Sequence, residues 1–205
     1  LSCCARQEHT PAWSGHQVGK ATSHRQHLHH HRPGGAGAMT TSESTRPLPV
    51  QLYIESTNRC NLKCRHCYIN PDQHGTETLP LNTIESWLRV FADLGKPANL
   101  ILLGGEPTLH PDLAAVVHTA RRLQFASVTI DTNGYLFHDI LDRLTPSDLD
   151  YFSFSLDGAT AKTNDALRAG IYDACLAGIR RAVAKGFSTS LIYTVSTANI
   201  DELPQ

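Results

Sequence analysis

The sequence predicts an α/β fold of parallel strands with helices packed outside them, and three observations carry the prediction. From Val50 onward, short β-rich runs alternate with amphipathic stretches of helical period, the signature of strand–crossover–strand units. Leu100 to Leu103 is wholly apolar, as expected for a strand buried on both faces. The polar and glycine-rich clusters fall just after strands, at the end where such sheets bind ligands.

The elements follow in order. Val50 to Glu55 is the first strand, with Val50, Leu52 and Ile54 on one face. Asn82-Thr83-Ile84-Glu85 has the spacing of a capping box, and Ile84, Trp87, Leu88, Phe91 and Leu94 follow at helical intervals until Gly95. Leu100 to Leu103 is the second strand. Pro111 opens a second helix, whose apolar positions are Leu113, Val116, Val117, Ala120 and Leu123. Ser127 to Asp131 is the third strand, Phe137 to Leu144 the third helix, and Thr145-Pro146-Ser147 a turn. Tyr151 to Leu156 is the fourth strand. Ala174 to Lys185 is the fourth helix, stopped by Gly186, and Thr189 to Val195 is the fifth strand. An open doubly wound sheet and a complete or partial barrel both satisfy this pattern. A barrel of this type takes about 250 residues, and Asn199 to Pro204 reads as the opening of a further helix. The chain is therefore expected to stop short of a closing strand.

Composition bounds the function. Residues 1–48 are expected to be a disordered leader, and residues 49–205 the folded domain. Residues 1–38 hold seven of the twelve histidines, the pair Cys3 and Cys4, and Pro33-Gly34-Gly35. Such a stretch buries too little apolar surface to offset its ordering entropy. It reads as upstream or tag-like sequence, with the native start at Met39, the single methionine. From Met39 onward there are 14 basic and 18 acidic residues and no basic patch, which excludes an electrostatic nucleic-acid footprint. No apolar run approaches the roughly 18 residues of a membrane span, and no signal peptide opens the chain. Closely spaced thiols without a secretory context point to metal rather than disulfides, and to the cytoplasm.

The chemistry concentrates in Cys60-Asn61-Leu62-Lys63-Cys64-Arg65-His66-Cys67, directly after the first strand. A structural zinc site or an ordinary iron–sulfur cluster takes four ligands; this run supplies three. Three thiolates on a four-iron cluster leave one metal position open for a small molecule. The same cysteines are also compatible with half of a zinc site completed by His66, His74 or a remote cysteine, in a non-enzymatic zinc-binding α/β module. Other residues have plainer readings. Gly104-Gly105-Glu106-Pro107 is by itself a tight strand-to-helix turn, Asp157-Gly158 a turn and Arg168 a surface charge. Tyr68 is a packing side chain, and His110, His118 and His138 are solvated or helix-end histidines. Cys175 is a small buried hydrophobe on the fourth helix. Cys3 and Cys4 lie in the leader and are not expected to be ligands.

Cys60-x3-Cys64-x2-Cys67 after strand one, Gly104-Gly105-Glu106-Pro107 after strand two and Ser155-Leu156-Asp157-Gly158 at strand four together resemble the radical S-adenosylmethionine superfamily. Their flavour is closest to the branch with a C-terminal cysteine-rich (SPASM-type) extension, whose members often modify peptides or mature cofactors. The resemblance implies a partial (β/α)6 TIM-like barrel of parallel strands with outer helices, truncated after the fifth strand. It implies a 4Fe–4S cluster on Cys60, Cys64 and Cys67, with S-adenosylmethionine on the fourth iron. Reductive cleavage would give a 5′-deoxyadenosyl radical that abstracts hydrogen from a peptide, a cofactor precursor or a small metabolite. An external electron donor such as a flavodoxin or ferredoxin is implied too. By the same resemblance, Gly104, Gly105 and Glu106 bind the methionine amino group and His66 lies beside the adenine. Ser155 and Arg168 contact the ribose or the carboxylate, and Asn133 makes a further polar contact.

Overall fold

The structure is a computed structural model, and it describes residues 50–69 and 74–203. The expected leader, residues 1–48, lies outside the described residues.

Five strands form one sheet: β1 (Val50–Thr57), β2 (Ala98–Gly104), β3 (Ser127–Thr132), β4 (Tyr151–Ser155) and β5 (Thr189–Ile192). All are parallel and adjacent in chain order, β1-β2-β3-β4-β5. A doubly wound sheet reverses its strand order at a switch point; this one does not reverse. The order therefore selects an arc of a barrel, and the fold is an α/β sheet with flanking helices, consistent with a partial TIM-like barrel.

The helices are α1 (Leu81–Ala92), α2 (Leu113–Arg122), α3 (Ile140–Arg143), α4 (Ala161–Arg168) and α5 (Tyr172–Ala184). Strand period 2 sends Ile54, Leu102, Ile130, Phe152 and Phe154 to one face. There they join Ile84 and Leu88 of α1, Val116 and Val117 of α2, and Cys175 of α5 in a single buried core. The alternate residues Tyr53, Glu55, Leu103 and Asp131 line an open cavity on the other face. Among the described residues no helix is long and apolar enough to cross a membrane.

Several boundaries differ from expectation, each for a local reason. The capping box does not form: α1 begins at Leu81 with Pro80 as its cap, and Glu85 instead accepts a hydrogen bond from Thr119 Oγ1 at 2.8 Å. Pro111 precedes α2, which is capped at Asp112. The third helix is only four residues long, because Leu136, His138 and Asp139 take left-handed backbone angles that no helix tolerates. One helix was not anticipated. α4 starts at the Thr160 cap, whose side chain accepts from Thr163 N–H, but its sequence has only a weak apolar stripe.

Candidate metal centre

The loop after β1 brings Cys60, Cys64 and Cys67 to one wall of a cleft as free, partly buried thiols. Five contacts hold the loop's backbone and side chains. Leu62 is buried in the core. Leu62 N–H donates to Cys60 Sγ at 3.4 Å, and Arg65 N–H to the Leu167 carbonyl at 2.9 Å, joining the loop to the end of α4. Glu106 N–H donates to the Arg59 carbonyl at 2.8 Å. Asn133 Nδ2 donates to Asn61 Oδ1 at 2.8 Å. The ends of β2 and β3 and the end of α4 thus all grip the loop.

Gly104, Gly105, Asn133, Arg168 and Thr194 line the same cleft. Gly104 has φ +129°, a backbone conformation reserved for glycine. A Cβ there would meet the Thr57 carbonyl at 2.5 Å, and one on Gly105 the Arg59 carbonyl at 2.1 Å. These two glycines therefore let the loop after β2 lie directly on the cysteine loop.

The remaining residues singled out in the sequence divide. Glu106 is buried, and its carboxylate is fully engaged. Oε1 accepts from Thr108 N–H (3.1 Å), Thr108 Oγ1 (2.5 Å) and Thr132 Oγ1 (2.8 Å), and Oε2 from Asn133 N–H (2.7 Å). Burial pushes its pKa up, against the pull of these four donors. Its side chain braces the β2 and β3 loops and does not line the cleft. Ser155, half-buried at the end of β4, is likewise absent from the cleft lining.

Arg168 is buried rather than a surface charge, because it pairs with Asp157. His66 lines the cleft, and its Nε2 lies 2.8 Å from Asp157 Oδ2 as an ion-pair contact. Asp157 itself, a turn residue by its sequence, is fully buried. It joins the two side chains, and only its neighbour Gly158 hinted at it. Tyr68 does not pack: it is 69% exposed, and its hydroxyl donates to the Gly104 carbonyl at 3.3 Å. His110 is not solvated; it is buried, with Nδ1 accepting from Asp112 N–H (3.1 Å), so that Nε2 donates to the Leu79 carbonyl (2.9 Å). Cys175 is a buried core thiol, as expected.

The donor chemistry fits an iron–sulfur cluster. Burial raises the Cys60 thiol to about 11 and pushes Cys64 up, while the Arg168 guanidinium beside Cys64 pulls it down. Buried thiols of this kind become thiolates when a metal binds them. Among the described residues no three Cys, His, Asp or Glu side chains converge on a point that could hold a single metal ion. Zinc requires such convergence, with each sulfur about 2.3 Å from one centre. Cys60, Cys64 and Cys67 would each supply one thiolate to a four-iron cluster.

The family model of the Radical SAM superfamily matches residues 54–205. The chain is 37% identical over 163 residues to a pre-heme d1 synthase of Dinoroseobacter shibae, covering 78% of this chain and 39% of that protein. It is 32% identical over 143 residues to a probable GTP 3′,8-cyclase of Methanothermobacter marburgensis, covering 65% and 46%. The chain thus spans less than half the length of either relative. Among solved structures, native anSMEcpe with bound AdoMet and Kp18Cys peptide superposes with TM-score 0.59 at 18% identity, covering 70% of this chain and 43% of that one. At that identity the likeness is one of fold.

Proposed function

This chain belongs to the radical SAM superfamily, an enzyme superfamily whose members use a 4Fe–4S cluster and S-adenosylmethionine, and from that premise we propose that it binds both cofactors and initiates hydrogen abstraction from a cofactor precursor. The observation that carries the reading is the cleft itself: three free thiols line it together with Gly104, Gly105, Asn133 and Arg168. When bound, the cofactors supply one-electron cleavage of a carbon–sulfur bond, releasing a 5′-deoxyadenosyl radical. A cluster able to do this lies toward the lower end of the roughly −700 to +450 mV that such centres span.

The chain's own residues position and shield. Cys60, Cys64 and Cys67 each hold one iron. Gly104 and Gly105 let a ligand approach the backbone closely, where a methionine amino group is accepted. Arg168 takes the carboxylate through its planar fork, His66 and Asn133 flank the remainder, and Glu106 acts from behind by holding the Asn133 backbone. Ser155 is reserved for the ribose edge.

The two relatives described above, both more than 30% identical, are named as a pre-heme d1 synthase and a probable GTP 3′,8-cyclase; this favours cofactor maturation over peptide modification, which rests on a fold likeness. The branch with a cysteine-rich C-terminal extension is supported by the wording of the Cys60–Tyr68 and Ser155–Gly158 motifs. A flavodoxin or ferredoxin as electron donor and a cytoplasmic location complete the proposal.

The test is anaerobic reconstitution with iron and sulfide, followed by dithionite and S-adenosylmethionine. The reading expects a brown protein that releases 5′-deoxyadenosine and methionine in equal amounts. A colourless protein that holds zinc and releases neither product contradicts it.

A further inference from the structure

Asp157 has no place in the reading above, yet its carboxylate meets two side chains that line the cleft, His66 and Arg168. Its Oδ2 lies 2.8 Å from Nε2 of His66, on the cysteine loop, in an ion-pair contact, and accepts from Nε of Arg168, at the end of α4. Its Oδ1 accepts from Thr194 N–H, just past β5, at 2.6 Å. Its own backbone is closed from both sides. The N–H donates to Asn164 Oδ1 at 2.9 Å, and the carbonyl accepts from Asn199 Nδ2 at 3.0 Å. Asn199 Nδ2 also donates to the Thr194 carbonyl at 2.9 Å.

A carboxylate with no exposed surface is held in place only if its oxygens are fully engaged. Here Oδ2 is engaged by the two cleft side chains assigned to the cofactor, and Oδ1 by the Thr194 N–H. His66 has no second anchor: Nδ1 is buried without a hydrogen-bond partner among the described residues. The Asp157 bond therefore sets the imidazole's orientation. Arg168 is committed through Nε, so its terminal nitrogens stay toward Cys64 and the cleft.

We propose that Asp157 is a positioning residue of the cofactor site, one buried carboxylate that orients His66 and Arg168 together and ties both to the end of β5. The proposal rests on the cofactor reading above and adds a residue to it. Asp157 touches neither cluster nor S-adenosylmethionine; it acts through the two residues that do. Partners of this kind alter ligand affinity by about 10- to 100-fold when removed.

The experiment is a double-mutant cycle on the full, anaerobically reconstituted chain. Iron content is counted, affinity for S-adenosylmethionine is measured by calorimetry, and the reduced cluster's EPR spectrum is recorded with and without S-adenosylmethionine. Asp157→Asn keeps the iron and weakens binding about tenfold or more, with a broadened EPR response that reports a loosely held ligand. His66→Phe weakens binding in the parent and adds little in the Asp157→Asn background. Equal affinity for Asp157→Asn and the parent, or effects that multiply in the double variant, overturns the proposal. If Asp157→Asn does not fold, the pair His66→Phe and Arg168→Lys decides: coupling through one oxygen makes their combined effect smaller than the product, and full multiplication overturns it. A parent chain that binds iron but no S-adenosylmethionine defeats the cofactor reading and this proposal together.

Discussion

Gly105 and Arg59 lie in backbone contact, so close that a Cβ on Gly105 would stand 2.1 Å from the Arg59 carbonyl oxygen. Between them runs the 2.8 Å bond from Glu106 N–H to the same carbonyl. The cysteine loop is thus seated on the β2 loop through main-chain contact, to which the Tyr68 hydroxyl adds a 3.3 Å bond to the Gly104 carbonyl. Gly105→Ala must move one loop off the other, at about 3 kcal/mol. A lowered urea midpoint together with less iron retained after reconstitution checks this.

Each of Cys60, Cys64 and Cys67 supplies a ligand that the other two do not replace. Replacing any one by Ala should reduce retained iron severely and abolish 5′-deoxyadenosine release. Cys175→Ala should leave both intact, since Cys175 sits in the core behind the sheet, and should cost about 1 kcal/mol for the small void. Iron and sulfide analysis of the four variants separates the two classes.

Glu106 accepts four hydrogen bonds and donates none. Glu106→Gln puts an NH2 group against a donor, whichever way the amide turns. About 2 kcal/mol of stability is lost, and the Asn133 loop loosens with it. Denaturant unfolding measures the loss, and a variant as stable as the parent would refute this account of Glu106.

Asp131 faces the open cavity beside Tyr68, and burial raises its carboxyl from the ordinary 3.8 to about 6. The native state therefore holds this proton more tightly than the unfolded chain does. Stability from this group is fully present below about pH 4 and is lost as pH rises through about 6. The loss is about 1 kcal/mol after discounting for partial exposure. Asp131→Asn should remove that decline, which comparing the pH dependence of unfolding for parent and variant measures directly. Parallel profiles for the two would be the contrary result.

Much of this was legible in the chain because it is local. Strand alternation, the apolar run Leu100–Leu103 and the spacing of three cysteines each occupy a handful of consecutive residues. What escaped is what only the fold brings together. Arg168 reads as a surface charge because nothing near it in sequence says that Asp157 will be buried beside it. Glu106, within a glycine-rich ligand motif, turns inward because Thr132 and Asn133 arrive from another strand end. α4 escaped because two of its three buried residues, Asn164 and Arg168, are polar and only Leu167 is apolar, and an apolar stripe is the signal by which helices are found. The third helix was overdrawn because left-handed angles at Leu136, His138 and Asp139 leave no compositional mark.

The central claim is that three thiolates hold four irons and leave one of them for S-adenosylmethionine. Mössbauer spectroscopy of the full chain, reconstituted with 57Fe and recorded before and after S-adenosylmethionine is added, tests it most directly. The account predicts that one quarter of the cluster's iron signal changes on addition and three quarters stay as they were. A spectrum untouched by S-adenosylmethionine, with all four irons already equivalent, would contradict it.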